Sequence, residues 1–133
     1  EVDIDNFIKA KGAIYSGASV LIESLGMDFS VIDKVYIAGG IGNNLNIENS
    51  ILIGLLPDIE REKFVYIGNS SLVGSYLALI SKDAKQKLQD IGNEITYVEL
   101  SVYPTYMDEF ISACFLPHTN IEQFPTVKAI LGE

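Results

Sequence analysis

The sequence predicts an α/β fold in which a short, largely parallel sheet is covered by helices. Two apolar stretches, "VYIAGG" and "FVYIGN", each read as a buried strand that ends in a glycine turn. A helical pattern follows each turn, and another precedes the first strand. Strands that alternate with helices favour a parallel sheet. The length of 133 residues fits one domain, residues 1–133.

The first element predicted is a long helix over residues 3–25. Asp3 is a suitable N-cap, and Gly26 is a suitable C-terminal stop. Apolar side chains recur at spacings of three and four, which predicts one face turned to the core. This face comprises Phe7, Ala10, Ile14, Ala18, Leu21 and Leu25.

Two strand–glycine–helix units follow. In the first, a strand over 34–38 runs into the glycine turn, and Asn46 is expected to cap a short helix over 47–54. In the second, a strand over 64–67 reaches Gly68, and Asn69 or Ser70 caps the next helix. The apolar positions of that helix are Leu72, Val73, Tyr76, Leu77 and Ile80.

The remaining pattern predicts a helix over 83–91, a third strand over 95–100 and a final helix over 104–115. Pro104 is placed at the first position of that helix, where its missing N–H has no cost. Residues 117–133 read as an irregular tail with scattered apolar anchors.

Composition excludes several classes of function. Nine basic and 18 acidic residues give a net charge of −9, which repels nucleic acid and anionic membrane surfaces. No stretch is long and apolar enough for a membrane span. The single Cys114 cannot form an internal disulfide or hold an iron–sulfur cluster, and together with His118 it gives no metal-site spacing.

The two glycine turns are the strongest local signal for a ligand. In open α/β sheets ligands bind beyond the carboxyl ends of the strands, and glycine lets a ligand approach the backbone. Neither turn has the G-x-G-x-x-G dinucleotide pattern or the G-K-[ST] phosphate loop. From the local pattern alone, the glycines serve either a ligand cleft or tight turns and close packing.

Other polar residues carry weaker signals. His118 is expected to hydrogen-bond within a loop, and Cys114 is expected to fill the core. Lys9 and Lys11 are expected on a solvated helix face, with contact to a nucleotide as the alternative. Tyr97 and Glu99 alternate on the predicted third strand and are candidates for contact with other parts of a larger protein.

Five motifs in order give a more specific signal, because they resemble a known family. The helix followed by "DFSVIDKVYIAGGIGNNL" resembles the adenosine motif of the acetate-kinase, sugar-kinase, heat-shock-chaperone and actin superfamily. A narrower resemblance, to the ferredoxin-type reductive activators of corrinoid proteins, covers roughly residues 3 to 125 and lies in the C-terminal part of that family. Its motifs are "DIDNFIKAKGAIYSG", "VYIAGGIGNNLNIENSILIGLLPD", "FVYIGNSSLVGSYLAL", "ITYVELS" and "MDEFISACFLPHT".

The resemblance implies a partial RNase H-like or actin-like ATPase lobe and a function. Such activators return inactive Co(II) corrinoid proteins to Co(I), using an electron from an N-terminal iron–sulfur domain and ATP with Mg. The implied partners are the corrinoid protein and the N-terminal lobe of the same polypeptide, with a homodimer as one option, in the cytoplasm. The implied nucleotide-binding residues are Gly39, Gly40, Gly42, Asn43, Gly68, Asn69 and Ser71.

The family's D-x-G-T phosphate motif and its ferredoxin cysteines are missing from this sequence. We therefore expect a C-terminal fragment of a longer protein, with no catalytic residue of its own, that neither hydrolyses ATP nor carries electrons alone. The alternative is a non-catalytic partner-binding or dimerisation module whose nucleotide cleft is degenerate. A sugar- or acyl-kinase lobe is a third option, and it would need a substrate carboxylate that the sequence does not offer.

Overall fold

The structure is a computed structural model, and it describes residues 1–132. It is a mostly helical α/β fold with a two-stranded parallel sheet, which confirms the predicted fold class. The strands are β1 Val35–Ala38 and β2 Phe64–Gly68. The helices are α1 Val2–Ser24, α2 Gly39–Gly42, α3 Ile47–Leu52, α4 Ser70–Ile80, α5 Lys82–Glu94, α6 Tyr106–Ala113 and α7 Pro125–Leu131. Four short 3₁₀ turns occupy Phe29–Val31, Arg61–Lys63, Leu100–Val102 and Ile121–Gln123.

Both strand–glycine–helix units form as predicted, and their helices begin at the expected caps. Asn46 Oδ1 accepts the Asn49 N–H at 2.9 Å, which starts α3. Asn69 Oδ1 accepts the Leu72 N–H at 3.1 Å, which starts α4 and excludes Ser70 as the cap. Each side chain pairs a backbone N–H that the helix itself leaves free.

The core lies where α1, the sheet and the C-terminal residues meet. Tyr15 is at its centre, with its ring centroid 5.3 Å from that of Phe124 and 5.8 Å from that of Phe29. Residues from both strands, α3, α6 and α7 complete it. The buried apolar cluster is Tyr15, Ile37, Ile51, Phe64, Ala113, Phe124 and Val127.

Helix α1 forms as predicted, but the prediction of its buried face was wrong. Five of the six side chains of the predicted core stripe lie on the surface, where Ile14 is 56% exposed and Leu25 is 66% exposed, and Ala18 is half-buried. A face rich in small and polar residues packs against α6 instead. Glycine explains this choice, because a Cβ on Gly12 would lie 2.9 Å from the Cys114 Sγ. Only a helix face without bulk permits this close packing.

The expectation that Lys11 is solvated was also wrong. Its side chain is buried, and the Nζ donates hydrogen bonds to the backbone carbonyl oxygens of Ala113, Phe115 and Pro117. The bonds to Phe115 and Pro117 are 2.6 and 2.5 Å long. These carbonyls lie at and beyond the C-terminus of α6, where a cation is favoured. Burial lowers the pKa of Lys11 to about 8.

The third strand predicted over 95–100 does not form within residues 1–132. The backbone is extended at Ile95 and Glu99, but no strand lies beside it, and Tyr97 is 79% exposed. Glu99 instead accepts hydrogen bonds from the Ser101 hydroxyl and N–H, at 2.6 and 3.4 Å, and a 3₁₀ turn begins there. Such local bonds compete with strand pairing.

The two flanking helices have different bounds from those predicted. Helix α5 continues through Gly92 to Glu94. Helix α6 begins at Tyr106, and Pro104 lies in the preceding turn rather than at the first helical position.

The irregular tail predicted over 117–133 was a further error for the residues that the structure describes. Helix α7 begins with Pro125 at its first position, which suits proline. Phe124 and Val127 are buried in the core. Asp58, whose side chain is 1% exposed, accepts hydrogen bonds from the N–H and hydroxyl of Thr126 at 2.7 Å. These contacts fix α7 against the rest of the fold; Glu133 lies outside the described residues.

Helices α4 and α5 pack chiefly on each other, and neither contains a buried residue. Helix α4 has no charged side chain, yet its large apolar residues are all exposed. The apolar residues of these two helices therefore form an open surface instead of part of the core. The exposed residues are Leu72, Val73, Tyr76, Leu77, Leu79, Ile80, Leu88 and Ile91.

Within residues 1–132, no helix combines the length and apolar character needed to cross a membrane.

Candidate functional site: two glycine turns at one sheet edge

The sheet brings the two predicted glycine turns together. Strands β1 and β2 are parallel, and Ala38 at the end of β1 pairs with Gly68 at the end of β2. Gly39 follows directly in α2, and Asn69 follows directly as the cap of α4. Both turns therefore leave the same edge of the sheet, beyond the carboxyl ends of the strands, where α/β folds bind ligands.

Three of the four glycines at this edge face open space. A Cβ built on Gly39, Gly40 or Gly68 would have no protein atom within 4 Å. Gly39 and Gly68 also have φ angles of +86° and +64°, a conformation that L side chains rarely adopt. The backbone at both turns is therefore accessible to a ligand from outside the chain.

Gly42 has a different role from its neighbours. It is buried, and a Cβ there would lie 2.7 Å from the Cγ2 of Ile37. This glycine lets the single turn of α2 fold back onto the end of β1. The glycine cluster thus serves both readings of the sequence, since Gly42 is required for packing and Gly39, Gly40 and Gly68 leave open backbone.

The polar residues of the site are exposed at the start of α4 and the end of α2. The Asn69 side-chain oxygen is used by the helix cap, which leaves its amide N–H groups as the donors of this side chain. Asn43 and Ser71 are exposed. The N-terminus of the 11-residue α4 adds a partial positive charge at this edge. Such an arrangement favours a neutral or anionic polar ligand.

The seven predicted site residues lack the groups for acid–base chemistry. None of them ionises near neutral pH: four are glycine, two are asparagine and one is serine. In the described part of the chain, no three His, Cys, Asp or Glu side chains are grouped so that they could hold a metal ion.

Sequence reasoning missed one residue that borders the site, Tyr66. It lies on β2 two positions before Gly68, and its hydroxyl donates a hydrogen bond to the backbone carbonyl of Leu45, which follows the first turn. The sequence offered no signal for this contact, because an apolar strand with one tyrosine reads as ordinary core.

The larger cavities lie away from the glycine turns. One of about 570 Å³ is lined by carboxylates including Glu23, Asp28 and Glu109, and an apolar one of about 490 Å³ runs beside Ile14 and Phe29. Neither is lined by any of the seven predicted site residues. Both cavities are therefore distinct from the ligand site predicted at the sheet edge.

His118 is bound within a loop, as predicted. Its Nδ1 accepts the Asn120 N–H at 3.0 Å, and its ring lies against Tyr15 and Phe124. Its Nε2 is 3.6 Å from Oε1 of Glu109, which is beyond hydrogen-bond distance. The His118 imidazole lowers the pKa of the Glu109 carboxyl by more than burial raises it.

The remaining side chains singled out in the sequence lie away from the site. Cys114 is a free thiol packed against Gly12, in agreement with core filling. Lys9 is exposed and forms an ion pair with Asp5 at 2.5 Å, as expected for a solvated face.

Comparison with known proteins places the chain in a family. Residues 1–128 match the family model described as the C-terminal domain of RACo, the ASKHA domain. A curated relative from Eubacterium limosum, the corrinoid activation enzyme RamQ, is 35% identical over 102 residues, which is 77% of this chain and 17% of the relative. A solved structure of a reductive activator for corrinoid, iron–sulfur protein matches 95% of this chain and 20% of its own, with 49% identity and a TM-score of 0.89.

The chain spans about a fifth of the length of each of these relatives. The match to the family model covers nearly the whole chain, and the match to the solved activator covers 95% of it. The five motifs, the paired glycine turns and the fold therefore agree, and the chain belongs to the family of RACo C-terminal ASKHA domains.

Proposed function

We propose that this chain is the nucleotide-binding lobe of an ATP-dependent reductive activator of corrinoid proteins. Its relatives are named as activators of corrinoid and of corrinoid, iron–sulfur protein, which supports the general role. The observation that carries the nucleotide assignment is the open backbone of Gly39, Gly40 and Gly68 at one sheet edge.

In this proposal the residues of the chain bind and orient the nucleotide. The adenosine of ATP lies against Gly39 and Gly40, where no Cβ stands in its way, with Asn43 at the far end of the turn. Gly68, Asn69 and Ser71 border the cleft, and the Asn69 amide offers hydrogen bonds to the polar edge of the ligand. Mg would come with the phosphates of ATP, since no three His, Cys, Asp or Glu side chains within residues 1–132 are grouped to hold a metal ion.

The electron that converts Co(II) to Co(I) does not pass through ligands supplied by this chain. Iron–sulfur clusters are normally held by about four thiolates, and this sequence has one cysteine. The proposal therefore assigns the cluster and the phosphate-binding motif to an N-terminal part of a longer polypeptide. We assign the reaction to the cytoplasm, where a reducing environment suits a lone free thiol.

The open apolar surfaces support a role in binding other protein segments. Most of the predicted core stripe of α1 is exposed, and so are the apolar residues of α4. Helices α4 and α5 pack chiefly on each other. Surfaces of this kind mark interaction sites. We propose that they contact the first lobe of the same polypeptide and the corrinoid protein; an interaction module without nucleotide binding is the second candidate that they favour.

The test is a Gly40→Val substitution in a full-length polypeptide that contains this chain. A Cβ on Gly40 would meet no atom beyond its neighbours along the chain, and Gly40 does not have a positive φ, so the fold should be retained. We expect ATP affinity, measured by titration calorimetry, to fall at least about tenfold, because the new Cβ occupies ligand space. ATP-dependent Co(I) formation, followed by corrinoid absorbance, should fall with it.

Gly92→Val is the matched control, because Gly92 is equally open but lies in α5 and is not one of the seven predicted site residues. It should leave ATP affinity unchanged. Unchanged affinity in Gly40→Val, or absence of ATP binding in the wild type, would instead favour the interaction module.

A further inference from the structure

We propose that Tyr66 is a positioning residue for this cleft: its hydroxyl joins the first glycine turn to the strand that carries the second. The inference rests on the proposed nucleotide function, since it concerns how the two halves of that cleft are held in place. It assigns to Tyr66 no contact with the ligand.

The contact links segments that are 21 residues apart in sequence. Tyr66 lies opposite Ile37 in the β1–β2 ladder, and its hydroxyl donates to the Leu45 carbonyl oxygen. The Leu45 N–H in turn donates to the Gly42 carbonyl at 3.1 Å. Leu45 is therefore bonded on one side to the glycine turn and on the other side to β2.

The first turn is well bonded internally, so it can move as a unit. The Asn43 N–H donates to Gly39 O at 3.1 Å, and the Asn44 side-chain amide donates to Gly40 O at 2.9 Å. Tyr66 connects the exit of this unit to a point two residues before Gly68. The side chain of Leu45 also packs against the core, so losing the phenol would loosen the turn rather than release it.

This connection matters because the proposed ligand contacts both turns at once. Gly39 and Gly40 belong to the unit that Leu45 closes, whereas Gly68 belongs to β2. A ligand that bridges them requires a fixed separation, and small displacements of a binding group weaken such an interaction. The strand pairing of Ala38 with Gly68 fixes the start of the first turn, and the phenol of Tyr66 is placed to fix its exit.

The test compares Tyr66→Phe with Tyr36→Phe in the full-length polypeptide. Tyr36 is the matched control because it lies on the neighbouring strand and is similarly exposed, at 59% against 44% for Tyr66. Across residues 1–132 its hydroxyl makes no hydrogen bond. Both substitutions remove one hydroxyl and keep the ring, so only the connection to Leu45 distinguishes them.

For Tyr66→Phe we expect ATP binding to weaken roughly two- to tenfold, the range for loss of one neutral hydrogen bond. We also expect faster hydrogen exchange at the amides of Asn43, Asn44 and Leu45, with only a small fall in melting temperature, because the lost bond is exposed. Tyr36→Phe should alter neither affinity nor exchange. A merely structural role would lower the melting temperature and leave the affinity of the folded protein unchanged.

Two results would overturn the proposal while leaving the nucleotide function intact. One is wild-type ATP affinity in Tyr66→Phe with faster local exchange, which would show a bond that does not position the cleft. The other is no change in either measurement, which would show that the bond is not formed. If the wild type itself failed to bind ATP, the proposed function would fall first, and the role of Tyr66 in nucleotide binding with it.

Discussion

Replacing Lys11 with methionine tests the most unexpected contact of the core. Methionine has nearly the length of the lysine stem but no donor, so the carbonyls of Ala113 and Pro117 would remain buried without a partner. The Phe115 carbonyl is only partly buried and can turn to water. An unsatisfied buried carbonyl costs about 1–3 kcal/mol, which gives about 2–6 kcal/mol for the two.

That loss is a large part of the stability of an ordinary domain, about 5–15 kcal/mol. With an m-value of about 1–3 kcal/mol per molar urea, we expect the unfolding midpoint of Lys11→Met to fall by roughly 1–3 M. The assay is urea unfolding followed by circular dichroism of the helices. Any Lys11→Met protein that is folded in water should still give a helical far-ultraviolet circular dichroism spectrum.

Lys9→Met is the matched control, since it removes a lysine two residues earlier on the same helix. Its ion pair with Asp5 is 61% and 59% exposed on the two sides, and such pairs contribute little. We expect its midpoint to match that of the wild type. A Lys11→Met protein as stable as Lys9→Met would refute the conclusion that the Lys11 ammonium holds the α6 terminus.

Two further predictions concern the glycine turn at Gly54 and the contact between Glu109 and His118. Gly54→Ala should be strongly destabilising in thermal unfolding, because φ is +73° and the new Cβ would lie 2.2 Å from the Pro117 carbonyl oxygen. The control Gly26→Ala, with φ +67° and no atom within 4 Å, should show only the backbone strain of about 1 kcal/mol. Equal losses of stability in the two variants would exclude the clash with Pro117. The lowered pKa of Glu109 beside His118 means that its contribution to stability is present above the unfolded value near 4.5 and is lost as pH falls through the folded pKa. Urea midpoints should therefore fall less between about pH 5 and about pH 3 in Glu109→Gln than in the wild type, and parallel curves would contradict this assignment.

Local signals predicted the part of the molecule that carries the site. The strand, glycine and cap of each unit are fixed by residues that are neighbours in sequence, so Asn46 and Asn69 cap α3 and α4 as expected. Pairing of Ala38 with Gly68 follows from placing two such units in one parallel sheet. The set of seven nucleotide-binding residues stays a prediction, although three of its glycines have the open backbone that it requires.

The errors arose where distant contacts decide the structure. The period of α1 revealed a helix, but the buried face was decided by how closely α6 can approach, and Gly12 permits that approach. The tail was read as irregular because its apolar residues are scattered and it contains Pro125. Its order comes from Phe124 in the core and from Asp58, whose carboxylate binds Thr126 across 68 positions of sequence.

The position of α7 has a consequence for the order in which this module is completed during synthesis. Tyr15 is synthesised well before Phe124, whose ring packs against it in the core. Asp58 likewise waits for Thr126 before its buried oxygens gain their N–H and hydroxyl donors. The core is therefore incomplete when the chain has been synthesised only as far as α6, and residues 121–131 complete it.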